Sequence, residues 1–204
     1  MDKIQKINAE HYDRNAERWS AHHTNSFWHE ANFRKFIKYF RLGDKIIDIG
    51  SASGIHVPLS LGIGEKLCYE GFDISKKLIK IAKSRYPKLK FHRGDILDSK
   101  TFPKIKYDGF WAAAVLQHVP IRDLPKALGN IEKITKLGAV GYVTVPVKRP
   151  NPESKKDRRH FEFFKSGQKF RRIITPRNWK ILASGKLVGG TGHATWRWYL
   201  VRLP

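Results

Sequence analysis

The chain has 204 residues, 41% of them hydrophobic, with six tryptophans and a formal net charge of +22. That length suits one domain with its own core, and the apolar share excludes a disordered polyelectrolyte. A single cysteine, Cys68, excludes an intrachain disulfide, and the longest apolar run, Phe110 to Leu116, is too short to cross a bilayer.

Residues 1–7 hold no apolar stretch of signal-peptide length, so the expectation is a cytoplasmic protein with no membrane partner. The charge is uneven: residues 148–186 carry thirteen Lys and Arg against three acids, a net +10. Such a surface attracts polyanions, RNA among them. It arises equally as the solvated face of a protein from a Lys/Arg-rich proteome, and both readings stay open.

Taken in order, residues 1–42 read as helical, with Tyr12, Ala16 and Trp19, then Phe33, Phe36, Ile37 and Phe40, at helical spacing. Gly43-Asp44 breaks that pattern, and Lys45 to Gly50 is a buried-strand run ending on glycine. Residues 55–61 suit a helix, Cys68 to Asp73 a second strand. Ser75 stands where a cap belongs, ahead of a helix bearing Leu78, Ile79 and Ala82 that stops before Pro87. Lys90 to Arg93 is a weaker third strand leading into Gly94-Asp95-Ile96, and Tyr107 to Ala113 a fourth. Residues 121–136 form an amphipathic helix with Leu124, Leu128, Ile131 and Ile134 inward, closed by Gly138, and Ala139 to Val145 is the fifth strand. The alternation over 45–147 predicts a parallel sheet with right-handed crossovers. After Pro146 come a basic Pro-containing loop (148–159), an aromatic helix around Phe161 to Ile174, and two alternating runs, Trp179 to Val188 and Ala194 to Leu203. The Gly-rich stretch 189–192 between those runs marks a hairpin. No repeat or linker divides the chain.

Ligands bind at the carboxyl ends of such sheets, and the first four strands end in groups that a nucleotide-like ligand can use. The Gly50-to-Gly54 turn lets backbone approach closely, because glycine has no Cβ. Asp73, nineteen residues after Gly54, can accept from both hydroxyls of a ribose, while Asp95 can receive an exocyclic amine beside the Ile96 N–H. Singly, each motif has a plainer reading as a tight turn or a helix cap.

Together they carry a resemblance. Ile46-Ile47-Asp48-Ile49-Gly50-Ser51-Ala52-Ser53-Gly54 resembles motif I of class I S-adenosylmethionine-dependent methyltransferases, and Gly71-Phe72-Asp73-Ile74-Ser75 their second-strand motif. Gly94-Asp95-Ile96 is similar to the adenine-side motif. Tyr107-Asp108-Gly109-Phe110-Trp111 through Leu116-Gln117-His118 matches the fourth-strand pattern, and Tyr12-x-x-x-Ala16 looks like the helical lid. The resemblance implies an α/β, Rossmann-like, seven-stranded and mostly parallel sheet in the order 3-2-1-4-5-7-6, with helices on both faces and a C-terminal hairpin. It implies one domain over 1–204: a lid (1–42), a cofactor-binding core (45–147) and an acceptor-side region (148–204). The implied cofactor is S-adenosyl-L-methionine, with no metal. Asp48, Gly50, Ser51, Ala52 and Gly54 would hold its methionine end, Asp73 and Ile74 the ribose, Asp95 and Ile96 the adenine. The Ala112 carbonyl would take the amino group, and Tyr12 would close over the site. One departure stands out: Ala52 replaces the middle glycine, a change that is sterically modest if φ is negative, and the loop is expected to sit slightly differently. Gly50-x-x-x-Gly54 is not the Gly-x-Gly-x-x-Gly of NAD sites, and no Gly-Lys-Ser/Thr follows to make a P-loop.

A sulfonium methyl is already activated, so transfer needs mainly proximity and alignment. A base serves only if the acceptor must lose a proton. His118 is the candidate, with a capping or packing role as its plainer reading; His160 and the pair His22/His23 are further candidates. Ala112-Ala113-Ala114-Val115 stands where exocyclic-amine methylating enzymes carry Asn/Asp-Pro-Pro-aromatic, and Cys68 lies at the wrong strand end for a cytosine C5 nucleophile. The Lys-Asp-Lys-Glu tetrad of some RNA 2′-O enzymes is not evident in order. Val143 to Lys148 and Arg158 to Phe164 resemble the segment that covers the acceptor in small class I enzymes. The chain's compactness favours a small-molecule acceptor; its charge keeps tRNA or rRNA as an alternative. A third reading is a non-catalytic nucleic-acid-binding protein on a methyltransferase scaffold. The oligomeric state is open, a monomer included.

Overall fold

Strands β1 (Lys45–Ile49), β2 (Cys68–Asp73) and β4 (Tyr107–Ala112) are apolar and buried along almost their whole length, as strands covered on both faces must be. They form the centre of the computed structural model, which describes residues 2–22, 29–63, 67–147, 162, 164, 167–188 and 195–204. With β3 (Lys90–Arg93), β5 (Thr135–Pro146), β6 (Lys180–Val188) and β7 (Thr195–Arg202) they make a seven-stranded sheet in the order β3-β2-β1-β4-β5-β7-β6. The first five strands pair in parallel, and β7 runs antiparallel to both β5 and β6. The expected order and terminal hairpin are both present.

Helices supply the crossovers: α4 (Val57–Ile63) leads from β1 to β2, α5 (Lys76–Arg85) from β2 to β3, and α6 (Leu124–Ile134) from β4 to β5. Three more precede the sheet, α1 (Lys3–Arg14), α2 (Ala16–His22) and α3 (Glu30–Phe36), and α7 (Gly167–Ile174) lies between β5 and β6. Ser75 caps α5 as predicted, accepting from the Leu78 N–H at 3.1 Å. One sheet face packs Phe110, Val143 and Tyr199 against Leu124, Leu128, Ile131 and Phe170 of α6 and α7. The other packs Ile46, Trp111 and Tyr142 against Phe33, Phe36, Val57 and Ile79 of α3, α4 and α5.

The α6–β5 junction departs from the sequence reading. The helix ends at Ile134, and the strand begins at Thr135 rather than at Ala139. The Thr135 hydroxyl donates to the Ile131 and Glu132 carbonyls (3.0 and 3.2 Å), terminating the helix one turn before Gly138. Gly138 instead makes a left-handed kink (φ +70°) inside β5. Residues 121–123 form a separate 3-10 turn ahead of α6. The 148–159 loop, Phe161 and the 189–192 turn lie outside the described residues. No helix among the described residues is long and apolar enough to cross a membrane.

Candidate functional site

The carboxyl ends of β1, β2 and β4 lie side by side at one edge of the sheet. After β1 the chain turns through three left-handed residues, Gly50 (φ +78°), Ala52 (+48°) and Gly54 (+78°). Gly50 and Gly54 are sterically required: a Cβ would stand 2.8 Å from the Val115 Cβ or 2.9 Å from the Tyr86 ring. The Gly50 and Ser51 N–H groups both donate to the Phe72 carbonyl (2.8 and 3.1 Å), fastening the loop to β2. The condition under which alanine is undemanding at 52, a negative φ, is not met. A left-handed alanine costs about 1–2 kcal/mol. Two gains oppose that cost: the Ala52 N–H donates to Asp73 Oδ2 (2.9 Å), and its methyl is buried in a cluster with Ala16, Leu78, Tyr12 and Trp19. The backbone therefore takes the left-handed path open to glycine, and the extra methyl becomes a packing point for the N-terminal helices.

Asp73 also accepts from the Ser75 N–H (2.8 Å). Burial pushes its carboxyl up to about 6, against the pull of those two amides. Ile74 follows at the strand end, its carbonyl 3.5 Å from Arg93 Nε. Asp95 accepts from the Leu97 N–H (2.9 Å), and partial burial raises its carboxyl too. Ile96 and Ala112 are buried beside it and at the end of β4.

Asp48 is fully buried beneath the loop. Its Oδ2 accepts from the Tyr69 hydroxyl (2.6 Å) and lies 2.9 Å from His56 Nδ1. His56 stands edge-on to His29 and Trp111, and His29 reaches the Tyr142 hydroxyl at 3.2 Å. Burial, with the neighbouring His56, holds His29 well below the ordinary imidazole range, so it is neutral. None of these partners was anticipated. They come from the residues just before α3 and α4 and from β2, β4 and β5, and no sequence spacing links them.

His118 closes a one-turn 3-10 segment, Leu116–His118, rather than opening a helix. Its Nε2 lies 2.8 Å from the Tyr12 hydroxyl and 3.3 Å from Gln117 Nε2, and its carbonyl accepts from Asn8 (2.9 Å) and Gln5 (3.3 Å) of α1. At the far end of α1, Asp13 accepts from the Ser75 hydroxyl (2.5 Å) and the Lys77 N–H (3.0 Å). Helix α1 thus bridges the ends of β4 and β2, across the β1 loop. Ala114 is a second left-handed alanine (φ +53°), with its N–H on the Thr144 hydroxyl at 2.8 Å; no sequence signal pointed to it. Strained backbone at these two alanines, on two adjacent strand ends, is the pattern of a ligand site. From the predicted acceptor segment, the Glu162 N–H donates to the Gln117 carbonyl (2.7 Å) and Phe164 is buried. His23 and His160 lie outside the described residues, as does the side chain of His22.

The hydroxyls of Ser51 and Ser53 and the amide oxygen of Gln117 are buried with no partner among the described residues. Each such group costs about 1–3 kcal/mol unless a ligand satisfies it. Two sit in the β1 loop and one at the end of β4, so a ligand with amine and carboxylate groups at that junction fits the donors and acceptors left over. The methionine end of S-adenosylmethionine is such a ligand. The described residues contain no group of three or more potential metal ligands.

Residues 46–138 match a protein family described as Methyltransferase domain. The matched segment is a little under half of the chain, and the sheet order around it is that of a Rossmann-like methyltransferase fold. Among solved structures it is similar to magnesium protoporphyrin IX methyltransferase from Synechocystis PCC 6803 with bound S-adenosylhomocysteine (TM-score 0.75, 14% identity, 99% of this chain and 100% of that one). It is also similar to an S-adenosylmethionine-dependent methyltransferase from Clostridium acetobutylicum (0.67, 14%, 97% and 98%) and an N-methyltransferase from Bradyrhizobium japonicum (0.63, 13%, 88% and 98%). At such identities the likeness is one of fold. A search of curated proteins finds no match.

Proposed function

We propose that this chain is an S-adenosylmethionine-dependent methyltransferase that acts on a small molecule. The observation that carries the reading is the covered site: α1 spans the strand ends, Tyr12 meets His118 at 2.8 Å, and Asn8 in its middle and Asp13 in its last turn fasten the helix. A small acceptor can be enclosed beneath such a cover, whereas a folded RNA needs an open face. The similarity to a porphyrin methyltransferase, over 99% of this chain and 100% of that one, supports the same reading.

In this account 1–42 is the lid, 45–147 the cofactor core and 148–204 the acceptor side. The loop of Gly50, Ser51, Ala52 and Gly54, with Asp48 beneath, orients the methionine end. Asp73 and Ile74 hold the ribose, Asp95 and Ile96 the adenine, and the Ala112 carbonyl the amino group. When bound, the cofactor supplies an activated methyl group. The chain's own work is alignment and exclusion of water. His118 Nε2 can accept a proton from a hydroxyl or amine acceptor; a carboxylate acceptor needs none. The lone Cys68, exposed and free, suits a reducing cytoplasm.

The test is transfer of tritiated methyl from S-adenosylmethionine onto fractionated cell extract. Label in the low-mass fraction is expected; label in RNA, released by nuclease, overturns the small-molecule reading.

A further inference from the structure

Opposite the cofactor site, the amino ends of β1, β4 and β5 form an edge that the proposed chemistry does not use. Four large apolar side chains are exposed among the described residues, and three of them lie on this edge: Tyr39, Leu42 (84% exposed) and Leu137 (93%). The fourth, Leu61, is on the last turn of α4, which descends towards the same edge. Scattered single apolar side chains on a surface mean nothing, but three on one edge do.

The two leucines share a local design. Each precedes a left-handed glycine, Gly43 (φ +87°) or Gly138 (φ +70°), and neither glycine has an atom within 4 Å of where its Cβ would be. The turns therefore hold the leucines out from the body, where neither packs against the protein. Around them stand exposed cations: Arg41, Lys45, Lys106, Lys133, Lys136 and Arg202. The nearby acids are engaged within the chain. Asp44 accepts from the Arg41 N–H (2.7 Å), and Asp108 from the Lys45 N–H (2.9 Å) and the Lys136 ammonium (2.7 Å). Glu132 is held by Arg177 and Trp179. Arg202 lies over the Tyr39 ring at 5.9 Å.

We propose that this edge docks on an anionic lipid surface, with Leu42 and Leu137 inserted among the acyl chains and the cations on the headgroups. The combination decides the occupant. Cations alone fit any polyanion, but a phosphate backbone offers nothing to aliphatic tips, whereas an interface rewards both. The edge faces away from the carboxyl ends of β1, β2 and β4, so docking leaves the proposed cofactor site free.

The test is co-sedimentation of the full chain with vesicles of phosphatidylglycerol and phosphatidylcholine, against pure phosphatidylcholine. The wild type binds the anionic vesicles, more weakly as salt rises. The Leu42→Ser/Leu137→Ser variant, which loses no packing and keeps its thermal unfolding, binds about tenfold more weakly. Bimane on Cys68, at the start of β2 on this edge, shifts to the blue on the anionic vesicles. Absence of binding to anionic vesicles, or equal binding by the double variant, overturns the proposal. So does binding to poly(U) alone with the leucine substitutions silent, which would make the edge a nucleic-acid surface.

Discussion

Asp73 is pulled towards its charged form by two backbone amides and away from it by burial, and burial wins, leaving its carboxyl at about 6. Ribose hydroxyls donate to the charged form, so cofactor affinity should rise as the carboxyl ionises. Between pH 5 and pH 7 the ionised share grows by about tenfold, and affinity for S-adenosylhomocysteine, measured by calorimetry, should follow. Asp73→Asn should flatten that dependence; an equal slope in the variant would remove Asp73 from the site. At Ala52 two effects nearly cancel. Glycine would relieve about 1 kcal/mol of left-handed strain and lose about 0.8 kcal/mol of buried methyl. Ala52→Gly should therefore leave urea-denaturation stability within about 0.5 kcal/mol of the wild type. The loop, Asp73 and Asp95 were legible because local spacing and chain order fix them at successive strand ends. The Asp48–His56–Tyr69 contacts and the Asn8 clasp on His118 were not, since tertiary structure alone brings those groups together.

At the scale of elements, α1 and α2 are attached to the core by a few polar clasps and one small apolar cluster. Asn8 is the best buried of the clasps, and removing it leaves the His118 carbonyl with only the longer Gln5 contact. Asn8→Ala should loosen the lid by about 1–2 kcal/mol. The readout is hydrogen exchange, with residues 3–22 exchanging faster while β1 and β4 do not change. Unchanged exchange over 3–22 would mean that α1 is held by something other than these bonds. Most elements were readable from apolar runs and turn residues. The end of α6 was not, because Thr135 competes for the last carbonyls with its own hydroxyl and makes Gly138 redundant as a stop. The same glycine then serves to project Leu137, a use no periodicity reveals.

Under the two proposals, the whole molecule has two working ends on one sheet. Strand order places the loops after β1, β2 and β4 at the carboxyl edge, while the basic and apolar turns gather at the other. The order itself was legible, since motifs of a known kind came in sequence along the chain. The meaning of the +22 charge was not, because charge without position fits any polyanion. Everything at the carboxyl edge depends on whether the left-handed β1 loop, alanine included, holds S-adenosylmethionine with Asp73. Isothermal titration of the purified chain with S-adenosylmethionine tests this directly. The account predicts saturable binding at one site per chain, weakened at least about tenfold by Asp73→Ala, with cooperative thermal unfolding retained. No binding by the wild type, or the same affinity in the variant, would contradict it.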